Sequence, residues 1–254
     1  MDSVPVSDGP RIGIMQPYFF PHLPHFALID QTDRWVVLDV TQYTPQTWMN
    51  RNRVLHPSEG WWYVTVPVRG VAETAPIREV ILHNPDLSFR LTAGRLQHYR
   101  RRAPYYREVL GLVERAFCER TDDSLVALDA TSLRVVCEYL SIEFDYSVCS
   151  ELGLDLSGVE HAGQWSLRIA EQLAAAEYLN PVGGAALFRP AEFEAAGIRL
   201  RFLDVPPMTY EVPSPYAFVP SLSIIDVLMW NSPREVRGFI RDRARILDPQ
   251  GAAT

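Results

Sequence analysis

The sequence predicts an α/β fold in which a parallel or mixed sheet is built from βαβ units and carries a helical insertion. Residues 12–15 (IGIM) and 35–38 (WVVL) are short apolar runs of the kind that form buried strands. Between them, Phe26, Leu28 and Ile29 fall on one face of a short helix. A strand, a helix and a second strand in succession form a βαβ unit, whose strands lie parallel with a right-handed crossover.

The remaining elements extend this pattern along the 254 residues. Further strands are predicted at residues 61–68, 77–82, 144–149, 177–180 and 198–203. The helical stretches are residues 87–112, with a break near Ala103 and Pro104, and residues 106–117, 124–140, 164–176, 185–196, 221–230 and 233–246. We therefore expect a disordered tail at residues 1–10 and a single α/β domain over residues 11–248, with residues 86–142 as the helical insertion.

Composition restricts the class of protein. The formal net charge of −7 argues against an extended nucleic-acid surface, although it leaves room for a local basic site. Residues 90–107 are the most basic stretch, for which a solvated helix face is the simplest interpretation and a nucleotide-facing patch the alternative. The cysteines Cys118, Cys137 and Cys149 have no CxxC spacing, which is typical of a reducing cytoplasm and indicates no zinc site. Because the sequence also has no run of about 20 apolar residues and no signal-peptide pattern, we expect a cytoplasmic protein without membrane partner, metal or cofactor.

Polar side chains follow the first two predicted strands. Gln16 comes directly after the first strand, Tyr18 lies two residues further on, and Asp39 ends the second strand. Ligands bind beyond the carboxyl ends of parallel strands, so these residues are expected on the binding face. We expect a polar loop at residues 41–53. Its candidate ligand-binding residues are Gln42, Trp48, Asn50, Arg51, Asn52 and Arg53. The two guanidinium groups suit a phosphate or a carboxylate, and a capping segment at the sheet edge is the alternative.

A glycine pair follows a later strand. Asn180 ends the strand predicted at residues 177–180, and Gly183 and Gly184 come shortly after it. Paired glycines let the backbone approach a ligand and leave amides free for an anion, although a tight turn explains them as well.

The last part of the chain adds four candidate ligand-binding residues. Tyr210 lies in the long proline-rich segment 205–220, and loops of this length in compact domains tend to be functional or mobile. Ser221 and Ser223 lie at the start of the next predicted helix, where the helix dipole favours an anion. Asp226 is a polar exception within the apolar run that follows.

Five segments together resemble the WbqC-like family of bacterial proteins, many of which are encoded in O-antigen clusters. They are QPYFFPHLPHFALID (16–30), TQYTPQTWMNRNR (41–53), WYVTVPV (62–68), YLNPVGGAALF (178–188) and FVPSLSIIDVLMWN (218–231). The segments occur in the order expected for the family and extend over most of the chain. The resemblance implies a role in O-antigen or natural-product biosynthesis, since a glycine (aminoacyl) transfer to an amino sugar has been suggested for some members.

His22 and His25 form the sequence HLPH between a predicted strand and a predicted helix. It resembles the HxGH element of nucleotidyltransferases and class I aminoacyl-tRNA synthetases, in which two imidazoles at a helix start stabilise phosphate charge. Pro24 stands where that element has glycine. The resemblance implies a nucleotidyltransferase/HUP-like sheet and an enzyme that uses ATP to adenylate a small carboxylate. A structural role for the two histidines is the alternative, and no further ligand for zinc is evident.

Adenylation is thus the first functional hypothesis. The second is acyl or aminoacyl transfer, for example glycyl transfer, that forms an amide on an amino group of a sugar nucleotide or natural-product precursor. The amine acceptor is a small molecule, and the acyl donor is carried on a carrier protein or tRNA. Such an enzyme needs a base and oxyanion donors. Candidate catalytic residues are His22, His25 and Asp39; candidate donors are Asn50, Asn52 and the amides of the glycine pair. The third hypothesis is a non-catalytic ligand-binding protein of a glycan or metabolite pathway. We expect the transferase.

Overall fold

The computed structural model describes residues 9–252 and has an α/β architecture around a six-stranded sheet. The strands are β1 (Arg11–Met15), β2 (Arg34–Val37), β5 (Tyr146–Val148), β6 (Glu177–Pro181), β7 (Arg199–Asp204) and β8 (Arg245–Leu247). Their order across the sheet is β5-β2-β1-β6-β7-β8, and all neighbours are parallel except β7 and β8. The predicted mixed sheet of βαβ units is therefore confirmed, and β8 is an antiparallel edge strand that the sequence analysis did not predict.

A separate antiparallel hairpin corrects the prediction of a polar loop after β2. It consists of β3 (Arg51–Leu55) and β4 (Trp61–Thr65), with Arg53 opposite Tyr63. The hairpin lies outside the main sheet. The alternation of Arg51, Asn52, Arg53 and Val54 is a strand pattern in which the outward positions are arginines rather than ordinary short polar residues.

Eight helices surround the sheet within the described range: α1 (Leu23–Asp30), α2 (Pro85–Leu96), α3 (Tyr106–Cys118), α4 (Leu125–Leu140), α5 (Ala162–Gln172), α6 (Pro190–Ala195), α7 (Ile224–Trp230) and α8 (Pro233–Arg243). The helices α2 to α4 lie between β4 and β5, which confirms the predicted helical insertion and its break before α3. Side chains fix several helix starts. Asn84 accepts from the amide of Leu87, and Ser124 from that of Ala127. None of these helices is long and apolar enough to cross a membrane.

Two apolar clusters cover the two faces of the sheet. The larger one contains Trp35 and Val37 of β2 together with residues of α1, α3, α4, α7 and α8. The smaller one contains Ile12 and Ile14 of β1 together with residues of α5 and α6. Successive strand side chains point to opposite faces, so β2, β6 and β7 each contribute to both clusters. Gly13 is required where β1 passes Trp35, because a Cβ at this position would lie 2.7 Å from the indole ring.

Two further predictions were wrong. Residues 77–82 were expected to form a strand, but Ile77–Glu79 is a 3-10 turn and residues 81 and 82 make only isolated bridges. Residues 185–196 were expected to form one helix, but Val182–Leu187 is a 3-10 segment and α6 begins at Pro190. Proline excludes the residue before it from the helical region, and Arg189 accordingly has an extended backbone.

Residues 9 and 10 of the predicted tail belong to the described part of the chain. Residues 1–8 of the predicted tail lie outside the described residues. Pro10 accepts a 3.0 Å hydrogen bond from the amide of Ala176, so the chain joins the fold just before β1.

The strand order places a crevice between β1 and β6. The chain leaves β1 towards β2 through α1, which packs in the larger cluster. It reaches β6 from β5 through α5, which packs in the smaller cluster on the other face. The two connections therefore diverge at the carboxyl ends of β1 and β6. In open α/β sheets this topological switch point is where ligands bind.

Candidate functional site

A cleft of about 640 Å³ opens at the switch point. We call it the switch-point cleft. Its hydrogen-bonding side chains are Gln16, His22, His25, Thr41, Gln42, Ser166 and Asn180. Its aromatic lining is Tyr18, Trp48, Trp165, Tyr178 and Phe188. Within the described residues no Lys, Arg, Asp or Glu lines this cleft. The site is therefore a concave aromatic surface with convergent neutral polar groups, as is typical of sites for small molecules.

A tight turn between β1 and α1 presents the two histidines to the cleft. Phe20 has a positive φ of 40° within this turn. Asn52 of the hairpin fixes the turn, because its Nδ2 donates to the carbonyl oxygens of Phe19 (3.1 Å) and Phe20 (2.9 Å). His22 then occupies the N-cap of α1, and His25 lies in the first turn of that helix. Asn52 is thus a buried positioning residue rather than part of the cleft lining.

His25 is a neutral imidazole in the wall of the cleft. Its side chain is 2% exposed, and its Nε2 is buried without a hydrogen-bond partner. The ring packs against Trp35, at 5.0 Å between centroids, and Tyr18, at 5.8 Å. Burial, together with a smaller effect of the nearby His22, lowers the pKa of His25 to about 3. A buried polar atom without a partner is uncommon, and here it lies in a ring that lines a cleft.

His22 has a different environment at the rim of the cleft. Its side chain reaches solvent, yet the surrounding protein lowers its pKa, and the positive charge of Arg53 lowers that pKa further. His22 is therefore unprotonated at neutral pH, as is His25, but it is accessible to a proton from solvent.

Amide side chains line the entrance of the cleft. The Nε2 of Gln16 donates to Thr41 Oγ1 at 2.9 Å, and the Tyr18 hydroxyl donates to Gln16 Oε1 at 3.4 Å. Gln42 donates to the carbonyl oxygen of Glu73 at 2.8 Å. Trp48 remains 40% exposed beside them. These groups keep hydrogen-bonding capacity directed at a ligand, because each amide has donors and lone pairs beyond the contacts named here.

The carboxyl end of β6 forms the opposite side. Asn180 Oδ1 accepts a 2.9 Å hydrogen bond from the Tyr178 hydroxyl, and Asn180 Nδ2 donates to the carbonyl oxygen of Pro181 at 2.9 Å. Tyr178 in turn accepts from Ser166 at 3.0 Å. Gly183 and Gly184 lie in the 3-10 segment after β6 and line the cleft. A Cβ on Gly184 would lie 2.4 Å from Asn180 Nδ2, so this glycine lets the backbone pass the fixed amide.

The arginines of the hairpin lie next to this cleft rather than in it. Arg51 lines a smaller pocket of about 330 Å³ that shares Gln16, Tyr18 and Trp48 with the cleft. Arg53 donates to the carbonyl oxygen of Ser221 at 3.1 Å. Asn50 is buried and donates to the carbonyl oxygen of Val66 at 3.2 Å, so it serves the hairpin and lines neither pocket.

Asp39 lies in a different environment from the histidines. Its side chain is buried, Oδ1 accepts from the amide of Ser150 at 2.9 Å, and Oδ2 accepts from the hydroxyl of Ser150 at 2.6 Å. It lines a separate cavity of about 540 Å³ with Ser150 and Arg78. The structure therefore does not bring Asp39 together with His22 and His25, and its oxygens connect β2 to the chain after β5.

Two of the late candidates, Tyr210 and Asp226, belong to one hydrogen-bond network. The Asp226 carboxylate accepts from the hydroxyl of Tyr210 at 2.6 Å, from the amide of Leu55 at 3.2 Å, and from the hydroxyl of Tyr99. Burial raises the pKa of Asp226, and the tyrosine hydrogen bonds oppose that rise. Ser223 caps α7 and donates to the carbonyl oxygen of Phe20 at 2.6 Å. Ser221 and Tyr210 line a small pocket of about 130 Å³ that also contacts His22.

Several lining residues were missed by sequence reasoning. Thr41, Trp165, Ser166, Tyr178 and Phe188 all line the cleft. Trp165 and Ser166 lie in the first turns of α5, at the same edge of the sheet as the ends of β1 and β6. A rule that inspects helix starts as well as strand ends would have found them. Tyr178 lies inside a strand and gives no such signal.

Comparison with known proteins gives the same family as the sequence segments. The WbqC-like protein family matches residues 16–238 of the chain. The uncharacterized protein Rv1507c of Mycobacterium tuberculosis is 25% identical over 237 residues, which are 91% of this chain and 97% of that protein. No solved structure matches the chain. The matched region contains the turn with both histidines, the hairpin, both sides of the switch-point cleft and α7. Since the match extends over most of the chain, the chain belongs to the WbqC-like protein family.

Proposed function

We propose that the protein transfers an acyl or aminoacyl group to an amino group of a sugar nucleotide or natural-product precursor. The observation that carries this proposal is His25, whose neutral imidazole lines the cleft with an unpartnered Nε2. Because its pKa is about 3, His25 is a weak base at neutral pH. It is suited to donate an N–H to a carbonyl oxygen that becomes an oxyanion, as neutral histidines at helix starts do in other enzymes.

His22 supplies the base in this proposal. It lies one helical turn from His25, reaches solvent and is unprotonated at neutral pH. Two titratable groups whose environments differ in this way are a basis for assigning separate acid and base roles. Asp39 has no part in the proposed reaction, since both of its oxygens are hydrogen-bonded to Ser150 outside the cleft.

The proposed reaction proceeds through a tetrahedral intermediate. The amine nitrogen attacks the acyl carbon, the C–N bond forms, and the carbonyl electrons move to the oxygen that faces His25. His22 takes the proton lost by the nitrogen. Collapse of the intermediate breaks the bond to the thiol or hydroxyl of the donor, which leaves with the proton from His22. Gln16 and Gln42 bind hydroxyl groups of the acceptor, and the aromatic lining excludes water that would hydrolyse the acyl donor.

A transfer assay with matched variants tests this proposal. Purified protein is given glycyl donors on tRNA, on a carrier protein and on coenzyme A, each with amino-sugar nucleotides, and amide products are detected by mass spectrometry. We expect His25→Leu to lower turnover about 100-fold, because leucine has no N–H to donate to the oxyanion. His83→Leu, at an exposed histidine outside the cleft, is the control that keeps full turnover. Binding of the acceptor without any amide product would support the non-catalytic hypothesis instead.

Adenylation of a small carboxylate is the second candidate. It is favoured by one specific observation, that both histidines of HLPH line the cleft at the start of the helix that follows β1. It ranks second because the described cleft lining contains no cationic side chain for a triphosphate. A pyrophosphate-exchange assay with ATP and a pool of carboxylic acids separates the two. Exchange that disappears in His25→Gln would put adenylation first.

A further inference from the structure

An arginine–aromatic ladder covers one face of the hairpin. It consists of Trp48, Arg51, Arg53, Trp61 and Tyr63. The Arg51 guanidinium lies 3.9 Å from the Tyr63 ring centroid, and the Tyr63 and Trp61 centroids are 5.0 Å apart. The Arg53 guanidinium lies 5.0 Å from the Trp61 ring and 5.3 Å from the Trp48 ring. The five side chains therefore form one continuous surface.

We propose that this ladder binds the nucleoside diphosphate part of the substrate, with the base on the exposed indoles and the phosphates on the two arginines. This inference rests on the proposed function only for the position of the reacting end, which reaches the histidines of the switch-point cleft. The shared residue Trp48 connects the two sites, because it belongs to the ladder and also lines the cleft.

Exposure and unpaired charge support a ligand at the ladder. Trp48 and Trp61 are each 40% exposed and both contact the Arg53 guanidinium, and exposed aromatic surface of this kind is typical of binding surfaces. Neither Arg51 nor Arg53 has an ion pair with a carboxylate in residues 9–252. The Nε of Arg53 is buried without a hydrogen-bond partner. Guanidinium groups bind phosphate through paired hydrogen bonds, and aromatic rings stack on bases of any sequence.

The topology limits the ligand to a small one. Trp62 alternates with Trp61 and Tyr63 along β4, so its side chain points to the other face of the hairpin. There it receives Arg95 of α2, whose guanidinium lies 4.5 Å from the Trp62 ring. The basic stretch that includes Arg95 is thus separated from the ladder by the hairpin itself. With two arginines on the ladder and a net charge of −7 on the chain, the site suits two phosphates rather than a polynucleotide.

The neutral cleft complements the charged ladder. The amides of Gln16 and Gln42 line the cleft, Gln16 also lines the smaller pocket with Trp48 and Arg51, and neutral amides are suited to sugar hydroxyls. A sugar nucleotide therefore meets aromatic and cationic groups at its nucleotide and uncharged hydrogen-bonding groups at its sugar. The nucleotide would thus lie on the ladder and the sugar in the adjoining switch-point cleft, which shares Trp48 with the ladder.

Isothermal titration calorimetry with a panel of nucleoside diphosphates tests the inference. At least one member of the panel is expected to bind, while its nucleoside and inorganic pyrophosphate each bind about 10-fold more weakly or worse. Arg51→Gln and Trp61→Leu are each expected to weaken binding about 10-fold, since each removes one class of contact. Arg245→Gln, an exposed arginine on the distant edge strand β8, is the matched control and is expected to bind as the wild type does.

Three results would overturn the inference: no nucleoside diphosphate binds, the ladder substitutions leave affinity unchanged in variants whose circular dichroism matches the wild type, or affinity rises steadily with the length of a single-stranded oligonucleotide. Other results would distinguish a failure of the proposed function from a failure of this inference. Nucleotide binding that depends on Arg51 without amide formation would refute the transferase alone. Amide formation on an amine without a nucleotide, unaffected by Arg51→Gln, would refute the ladder alone.

Discussion

The backbone amide of His25 donates a 3.0 Å hydrogen bond to the carbonyl oxygen of His22, so one helical turn carries both imidazoles. Their positions in that turn give them different solvent access. The His25 ring is buried in the wall of the cleft, whereas the His22 ring lies at the rim. One helical turn therefore carries a buried neutral imidazole and a solvent-accessible one.

The pH dependence of turnover should separate the two histidines. Only His22 titrates within an accessible pH range, so we expect the wild-type rate to fall on the acid side with a midpoint below the ordinary histidine pKa. His25→Leu should lower the rate at every pH, because it removes the N–H donor, without moving that midpoint, because the pKa of His25 is about 3. His22→Gln should remove the acid limb. A midpoint that moves in His25→Leu would contradict this assignment.

Folding stability should fall in acid because of His25. In the unfolded chain this imidazole takes up a proton below its ordinary pKa of about 6.5, but in the folded protein it does so only near pH 3. The unfolded state therefore binds more protons between these values, and stability decreases as pH falls through that window. The loss reaches about 2 kcal/mol at about pH 5. Urea unfolding of wild type and His25→Gln at several pH values measures this loss. If the free energy of unfolding changed with pH equally in both proteins, the prediction would be refuted.

Substitution of Gly184 by alanine should disturb the cleft. A Cβ on Gly184 would lie 2.4 Å from Asn180 Nδ2, and Asn180 is held by Tyr178 and Pro181. Gly184→Ala is therefore expected to displace the amide and to weaken substrate binding about 10-fold, by loss of one fixed hydrogen bond. Gly111→Ala, in α3 outside the cleft, meets no atom within 4 Å and is the matched control. The Michaelis constant for the acceptor measures the effect, and similar constants for both variants would contradict it.

The buried carboxylate of Asp226 should dominate the stability of the region behind the cleft. Asp226→Ala leaves the hydroxyls of Tyr99 and Tyr210 without their carboxylate acceptor, while the amide of Leu55 keeps its 2.9 Å hydrogen bond to the Tyr99 hydroxyl. We expect a loss of about 3–5 kcal/mol in the free energy of unfolding. Tyr210→Phe removes a single donor and should lose about 1–2 kcal/mol. Chemical denaturation compares the two, and a smaller loss in Asp226→Ala than in Tyr210→Phe would contradict the network.

The sequence by itself determined five of the six strands of the main sheet and part of the site. The apolar runs of β1 and β2 predict buried strands, because a strand that is covered on both faces has apolar side chains at consecutive positions. Gln16 and Asn180 follow from the rule that ligands bind beyond strand ends, and both line the cleft. HLPH predicted a helix start that carries two histidines, which the structure has.

Only the tertiary structure decided which polar residues face the cleft. Asn52 and Asp39 looked like ligand-binding groups, but their hydrogen bonds connect segments that are distant in the sequence. Arg51 and Arg53 seemed to lie in a loop, and their common face became visible only when β3 paired with β4. The unpartnered Nε2 of His25 likewise results from packing against Trp35 and Tyr18. Local periodicity encodes an element and its buried face, whereas burial and pairing between distant segments decide whether a polar group is used by the fold or left for a ligand.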